Sequence, residues 1–100
     1  MREIKIDSYL IGKTSPCFII AEAGVNHNGS TKNIKKLIDI ASVAKADYVK
    51  FQSFIAKNLV TKDAKKAKYQ QVKNNKSETQ FELLKKLELS RFQHRQIIKY

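Results

Sequence analysis

The sequence lacks tryptophan and has only one cysteine, one proline and three glycines among its 100 residues. One cysteine excludes an internal disulfide, and because Cys17 lies in an apolar run we expect it to be buried and reduced. The longest apolar run, Cys17-Phe18-Ile19-Ile20-Ala21, is far shorter than the roughly 20 residues of a membrane-spanning helix. The first residues alternate apolar and charged side chains, unlike a signal peptide. We therefore expect a cytoplasmic protein with no membrane partner.

Acidic residues are also scarce, because nine Asp and Glu stand against twenty Lys and Arg and give a formal charge of +11. Such an excess is typical of nucleic-acid-binding proteins. Only three of the basic residues are arginine, so few guanidinium groups are available for base and phosphate recognition. We interpret most lysines as solubilising surface charge and predict no nucleic-acid partner. The alternative stays open: a small basic module without chemistry that binds nucleic acid or another anionic partner.

A strand–helix–strand pattern occupies the centre of the sequence. Cys17–Glu22 is a continuous apolar run, which is typical of a parallel strand covered on both faces. Apolar residues then recur at three- and four-residue steps over Thr31–Lys45, with Ser30 as a suitable N-cap, and predict an amphipathic helix. Tyr48–Phe54 predicts a second strand by its aromatic and β-branched content. The pattern predicts a βαβ unit with adjacent parallel strands and therefore the α/β class.

Shorter elements are predicted on both sides of this unit. Alternating apolar residues near the start indicate a short strand or hairpin. The Lys-rich segment 55–76 has the length of a lid or substrate loop, and Ala64–Gln71 in it is a candidate for a short helix. Ser77 and Gln80 fit a capping box at the start of the next helix. Ser90 is a suitable N-cap for a further helix.

Three polar side chains are expected to meet at one edge of the parallel pair. Glu22 ends the first strand, and Lys50 and Gln52 lie near the end of the second on one face, because side chains alternate with period two. Ligands gather beyond the carboxyl ends of such strands. A lysine without a ligand in a strand covered on both faces would be costly. We therefore predict a substrate site formed by Glu22, Lys50 and Gln52.

The polar loop between the first strand and the helix contains His27, for which two interpretations stay open. The sequence is equally compatible with a role in substrate binding or loop shaping and with a loop histidine bonded to backbone. Asn26 and Asn28 are predicted to be turn residues. Ser53 has no histidine within reach by sequence, which argues against a role as nucleophile.

Two ordered motifs carry a family resemblance. Ile19–Gly29 resembles the opening motif of the N-acetylneuraminate (sialic acid) synthase family. Val49–Phe54 resembles the second motif of that family at the expected separation, and Lys68–Gln70 and Gln80–Leu89 look like the segments that follow it. The similarity covers nearly all of the chain from Phe18 onward.

The resemblance implies a (β/α)8 TIM barrel followed by a small antifreeze-like domain. It implies condensation of phosphoenolpyruvate with N-acetylmannosamine, or a related N-acetylated hexosamine, to a nine-carbon 2-keto sugar acid and phosphate. A homodimer and a divalent Mn or Mg ion are implied as well, with metal ligands that match no residue of this chain. Because a full barrel takes roughly 250 residues, we expect residues 1–100 to be its N-terminal part and to be inactive alone.

The resemblance also implies individual roles. Lys50 matches the lysine that binds the phosphate of phosphoenolpyruvate, and Glu22 and Gln52 match residues that hold the sugar. We assign Glu22 as catalytic, because a carboxylate there could stabilise positive charge at the former enol carbon, and we include His27 as a substrate-binding candidate. Sialic, legionaminic and pseudaminic acid synthases share this scaffold, and the two motifs look closer to the first two types.

Overall fold

The structure is a computed structural model that describes residues 2–70 and 78–100. The helices and strands within these residues are, in chain order, β1 (Ile4–Ile6), β2 (Tyr9–Ile11), β3 (Ile20–Gly24), α1 (Thr31–Val43), β4 (Tyr48–Phe51), α2 (Gln80–Leu87) and α3 (Arg91–Lys99). Two 3-10 turns, Ala56–Asn58 and Lys68–Gln70, lie in the connection between β4 and α2.

The predicted βαβ unit is confirmed, because β3 and β4 pair in parallel and α1 connects them. The paired residues are Ile20 with Tyr48, Ala21 with Val49, Glu22 with Lys50, and Gly24 with Phe51. One extra residue therefore lies between the last two pairs of β3, as in a β-bulge. Helix α1 packs on β4, and its Ile34 and Ala41 are buried.

Ser30 caps α1 as predicted. Its hydroxyl accepts a hydrogen bond from the backbone N–H of Asn33 at 3.3 Å. The helix ends at Val43. Lys45 then adopts a left-handed φ of +58°, which turns the chain into β4. Asp47, just before β4, accepts hydrogen bonds from the Ile19 N–H and the Tyr9 hydroxyl, each at 2.7 Å, so it joins the entries of β3 and β4.

The predicted burial of the first strand is wrong. β3 begins at Ile20 rather than Cys17, and Cys17 is exposed. Ile19 and Ile20 are 58% and 52% exposed, although the apolar run predicted cover on both faces. The reason is that the described residues supply a sheet of only two strands here, with one helix between them. β4 likewise ends at Phe51 and not at Phe54.

The predicted N-terminal hairpin is present. β1 and β2 pair antiparallel, with Ile4 opposite Ile11. The rings of Tyr9, Phe18 and Tyr48 pack together with centroids 5.3 to 5.6 Å apart. This aromatic cluster fixes the hairpin beside the entry of β4.

The start of α2 differs from the predicted capping box. Ser77 lies outside the described residues, and Gln80 is the first residue of the helix instead of its third. Thr79 is the N-cap: its hydroxyl accepts from the Glu82 N–H at 3.2 Å, and the Glu82 carboxylate accepts from the Thr79 N–H at 2.8 Å. The same motif therefore occurs two residues later, because Thr79 and Glu82 repeat the spacing. Ser90 caps α3 as predicted.

The long connection after β4 is tied to α2 and its flanks. The candidate helix Ala64–Gln71 is replaced by the 3-10 turn Lys68–Gln70, with Gln71 outside the described residues. Three contacts hold the connection: the Ala56 N–H donates to Glu88 at 3.0 Å, the Gln80 N–H donates to the Ala64 carbonyl at 2.8 Å, and Lys66 pairs with Glu78 at 2.9 Å. Lys66 is buried, so the segment is anchored at a charged point and not only by apolar contacts.

The chain is more open than a compact domain of its length. Its radius of gyration is 17.1 Å, against about 13 Å for a compact domain of 100 residues. Ile40 and Val43 on α1 and Ile98 on α3 are 65%, 83% and 85% exposed. Within residues 2–70 and 78–100, no helix has the length and apolar character needed to cross a bilayer.

Candidate functional site

Glu22 and Lys50 face each other across the parallel pair. They are register partners, and Glu22 Oε2 lies 2.5 Å from Lys50 Nζ. Their side chains are 52% and 59% exposed, so the ion pair is open to solvent. An exposed pair contributes only about 0–1 kcal/mol to stability. The pair is therefore a weak structural element, and both groups remain accessible to a ligand.

Lys50 is more accessible to solvent than the sequence predicted. We expected any lysine in this strand to be covered, yet its side chain is more than half exposed. The predicted burial of Lys50 is therefore wrong, and burial does not indicate a ligand at this lysine. The position of Lys50 directly opposite Glu22 at the carboxyl end of the strands is the observation that distinguishes it from the other lysines.

Gln52 joins this pair through Gly24. The Gln52 N–H donates to the Gly24 carbonyl at 3.3 Å, one residue beyond β4. A Cβ built on Gly24 would lie 3.3 Å from Glu22 Oε1 and 3.6 Å from Gln52 Nε2, so the carboxylate and the amide lie against the same glycine. Gly24 also has a φ of +55°, a backbone conformation that residues other than glycine rarely adopt. The structure thus brings Glu22, Lys50 and Gln52 together at one strand end.

His27 is fully buried in the loop between β3 and α1. Its Nδ1 accepts a hydrogen bond from the Gly29 N–H at 2.9 Å, and its ring centroid lies 6.2 Å from that of Phe51. Because Nδ1 accepts, the neutral ring carries its proton on Nε2, which has no hydrogen-bond partner among the described residues. Burial lowers the pKa of His27 and favours this neutral form. The structure contains the backbone bond, and a contact between His27 and substrate stays a prediction.

The same loop is held against α2 and α3. Gly29 has a φ of +74°, and a Cβ built on it would approach the Lys86 carbonyl oxygen to 2.5 Å. The side chain of Gln93 donates to the Gly29 carbonyl at 3.1 Å and to the Thr31 hydroxyl at 3.3 Å. Only glycine fits this close approach, so Gly29 places the loop beside the helices.

Ser53 and His94 form a contact that was not predicted from the sequence. Ser53 Oγ lies 2.6 Å from His94 Nε2, so the expectation that no histidine reaches Ser53 is wrong. His94 Nδ1 lies 2.8 Å from the Ser90 carbonyl oxygen. The available signal was the position of His94, four residues after the N-cap Ser90, which turns its ring toward the start of α3. The ring is oriented by a backbone carbonyl and not by a carboxylate, unlike a catalytic triad.

Metal binding has no candidate within residues 2–70 and 78–100. No three histidine, cysteine or acidic side chains there are grouped so that they could hold an ion. The ion pair of Glu22 with Lys50 supplies only one carboxylate, and the neighbouring ammonium group repels a metal ion, so this pair does not suit metal binding.

Sequence comparisons match this chain to one protein family and to synthases. The NeuB family matches residues 37–100. The chain is 52% identical to the N,N'-diacetyllegionaminic acid synthase of Legionella pneumophila over 83 residues, which are 83% of this chain and 23% of that protein. It is also 52% identical to the synthase of the same name from Campylobacter jejuni over 80 residues, which are 80% of this chain and 24% of that protein. The chain thus spans about a quarter of each relative.

The fold comparison agrees with these sequence matches. The crystal structure of the N-acetylneuraminic acid (sialic acid) synthetase of Leptospira borgpetersenii superposes on 98% of this chain and 30% of that chain, with a TM-score of 0.74 and 30% identity. The predicted fold class, a portion of a (β/α)8 barrel, is confirmed by this likeness. The described residues form two of the parallel strands and close no barrel.

Proposed function

The chain belongs to the NeuB family, and on that premise we propose that it carries part of the substrate site of a synthase that uses phosphoenolpyruvate. In this reaction phosphoenolpyruvate, an N-acetylated hexosamine such as N-acetylmannosamine, and water give a nine-carbon 2-keto sugar acid and phosphate. The observation that supports the proposal is the meeting of Glu22, Lys50 and Gln52 at the carboxyl end of β3 and β4.

Lys50 is proposed to bind the phosphate of phosphoenolpyruvate. Its ammonium group is a compact charge that suits a phosphate ester. Its present partner is Glu22, in an exposed pair that contributes only about 0–1 kcal/mol. A phosphate group that carries more than one negative charge can therefore displace the carboxylate at little cost. On this account, substrate binding takes Lys50 away from Glu22.

The carboxylate of Glu22, once released from Lys50, then lies beside the reacting atoms. The methylene carbon of phosphoenolpyruvate attacks the sugar aldehyde with the electrons of its double bond, so that a carbon–carbon bond forms and the aldehyde oxygen takes up a proton. Positive charge then develops at the carbon that bears the phosphate. Water adds to that carbon and gives up a proton, and the bond from the carbon to the phosphate oxygen then breaks, which yields the 2-keto group and free phosphate. A carboxylate at the strand end stabilises the positive charge before water adds. We propose this catalytic role for Glu22, with a second role in holding the sugar.

Gln52 is proposed to hold the sugar substrate. Its amide can donate to and accept from hydroxyl and acetamido groups, and it lies beside Glu22 through Gly24. Orientation of the aldehyde toward the methylene carbon of phosphoenolpyruvate is the main requirement of this two-substrate condensation. His27 is buried in the loop after β3, with its ring centroid 6.2 Å from that of Phe51, and we propose that it shapes the loop from which any sugar contact would be made.

Several features of a whole enzyme belong to this proposal. They are a homodimer, a cytoplasmic location, and a sialic or legionaminic acid as product. A divalent ion is implied by the family resemblance, but the described residues offer no ligand set that fits one.

The alternative of a basic, non-catalytic module stays testable. It rests on the formal charge of +11 and would make Lys50 one charge among many. Membership of the NeuB family favours the synthase. A salt-dependent interaction with polyanions, without any response to phosphoenolpyruvate, would favour the basic module.

The proposed function is tested by a chimera in which this chain replaces the matching residues of the Campylobacter jejuni synthase, to which it is 52% identical. The chimera is supplied with phosphoenolpyruvate and the N-acetylated sugar that the host enzyme uses. We expect phosphate release that depends on the sugar, together with a nine-carbon acid detected by mass spectrometry. The control is the host enzyme from which the matching residues have been deleted, and it should be inactive. A folded chimera that releases no phosphate would contradict the proposal.

A further inference from the structure

The first turn of α3 contacts the loops that follow both strands of the site. Gln93 reaches the loop after β3, and the neighbouring His94 reaches the segment after β4. The geometry points to Gln93 and His94 as positioning residues that hold the two strand ends in register, so that Gln52 stays beside Glu22. This inference rests on the proposed function, because it assigns these residues a role at that same site.

The side-chain amide of Gln93 bridges the start of α3 and the loop after β3. Its Oε1 accepts from the Ser90 N–H at 2.9 Å, which fixes the amide at the start of α3. Its Nε2 donates to the Gly29 carbonyl at 3.1 Å and to the Thr31 hydroxyl at 3.3 Å. An amide offers two donors on nitrogen, and both are in use here. Gln93 therefore joins α3 to the end of the loop that contains His27.

His94 is a bridge with a defined tautomer. A carbonyl oxygen only accepts hydrogen bonds, so His94 Nδ1, 2.8 Å from the Ser90 carbonyl, carries the proton of the neutral ring. Nε2 is then an acceptor, and the Ser53 hydroxyl donates to it at 2.6 Å. Ser53 directly follows Gln52, which is the first residue beyond the ladder of β4. The contact therefore fixes the backbone at Gln52 but leaves Lys50 to the strand pairing.

This difference between Lys50 and Gln52 predicts a selective effect. The backbone of Lys50 is held by the ladder between β3 and β4, whereas Gln52 depends on one 3.3 Å backbone bond and on the Ser53–His94 contact. Loss of that contact should displace the proposed sugar-binding amide more than the proposed phosphate-binding lysine. One lost hydrogen bond corresponds to about a two- to tenfold change.

The first test uses the spectroscopic signature of the histidines in this chain. The chain has two histidines, and the structure gives them opposite neutral tautomers: proton on Nε2 for His27 and on Nδ1 for His94. Long-range ¹H–¹⁵N spectra of the labelled chain, recorded where neutral imidazole predominates, should show one of each. Ser53→Ala should move the signals of His94 only. Two Nε2–H tautomers would overturn the proposed geometry without reference to activity.

The second test measures both KM values of the chimera. His94→Phe and Ser53→Ala should each raise the KM for the sugar about two- to tenfold and leave the KM for phosphoenolpyruvate within about twofold. The double variant should be no worse than either single variant, because both remove one contact. Gln93→Met should reduce kcat/KM for the sugar, and Gln96→Met, a matched glutamine exposed on the same helix, should not.

The outcomes separate this inference from the proposed function. If the unmodified chimera is inactive, the proposed function fails, and the tautomer measurement still decides the geometry. If the chimera is active and His94→Phe raises both KM values equally, or neither, the positioning role is wrong. Ser53→Thr keeps the hydroxyl and should restore the sugar KM, whereas a purely steric role for Ser53 predicts no such rescue.

Discussion

Substitution of Gly29 by alanine tests whether the loop after β3 is held against α2. A Cβ on Gly29 would lie 2.5 Å from the Lys86 carbonyl oxygen, a backbone atom that cannot rotate away. The φ of +74° adds about 1–2 kcal/mol for a non-glycine residue. Forced repacking against a fixed neighbour adds about 1–3 kcal/mol. We therefore expect Gly29→Ala to lower the free energy of unfolding by about 2–5 kcal/mol.

Urea denaturation of the chain, followed by circular dichroism, measures this change, and Gly12 supplies a matched control. A Cβ on Gly12 would lie 3.1 Å from Glu3 Cγ, which belongs to a flexible exposed side chain, and Gly12 is not among the residues with positive φ. Gly12→Ala should therefore change the free energy of unfolding by less than about 1 kcal/mol. If Gly29→Ala and Gly12→Ala had equal effects, the loop would not be packed against the Lys86 carbonyl, and the described site geometry would be wrong.

Two further predictions concern the pH dependence of stability. Burial lowers the pKa of His27 in the folded state, so the contribution of the neutral ring to the free energy of unfolding is full above the ordinary histidine pKa of 6.5. This contribution is lost as the pH falls through the lower pKa of the folded state. The free energy of unfolding, measured from about pH 8 to pH 5, should show this loss, and His27→Leu should remove the pH dependence. Hydrogen bonds from Lys86 first and Lys66 second hold the pKa of Glu78 below its usual 4.5, so the stability that it confers is full above that pH and is lost below it. Glu78→Gln should reduce the acid sensitivity below about pH 4.5, and an unchanged slope of stability against pH in this variant would contradict the role of Glu78.

The central fold could be predicted because its signals are local. The periodicity of α1, the cap at Ser30 and the β-branched content of β4 depend on neighbouring residues, and the parallel pairing follows from the connection. The burial of β3 could not be predicted in the same way. An apolar run such as Cys17–Ala21 shows what a strand is suited to pack against, but not how much of that cover the chain itself supplies.

The same distinction between local and long-range signals applies to the candidate site. Glu22, Lys50 and Gln52 could be brought together from strand ends and side-chain alternation, both of which are short-range rules. The contact of Ser53 with His94 spans 41 residues, and that of Gln93 with Gly29 spans 64. Such contacts depend on where α3 docks, which no local pattern reports. The sequence predicts the N-cap at Ser90, but it does not predict that the first turn of α3 contacts the segments that follow the strands.

The most direct test of the central claim compares Lys50→Ala with Gln52→Ala in the chimera, with each substrate varied in turn. Lys50→Ala should raise the KM for phosphoenolpyruvate about ten- to a hundredfold, because a charge-assisted contact contributes about 1.5–3 kcal/mol, and should change the KM for the sugar much less. Gln52→Ala should do the reverse, and Glu22→Ala should lower turnover. If Lys50→Ala left both the KM and the kcat/KM for phosphoenolpyruvate unchanged, the end of β4 would not be the phosphate site, and the account would be contradicted.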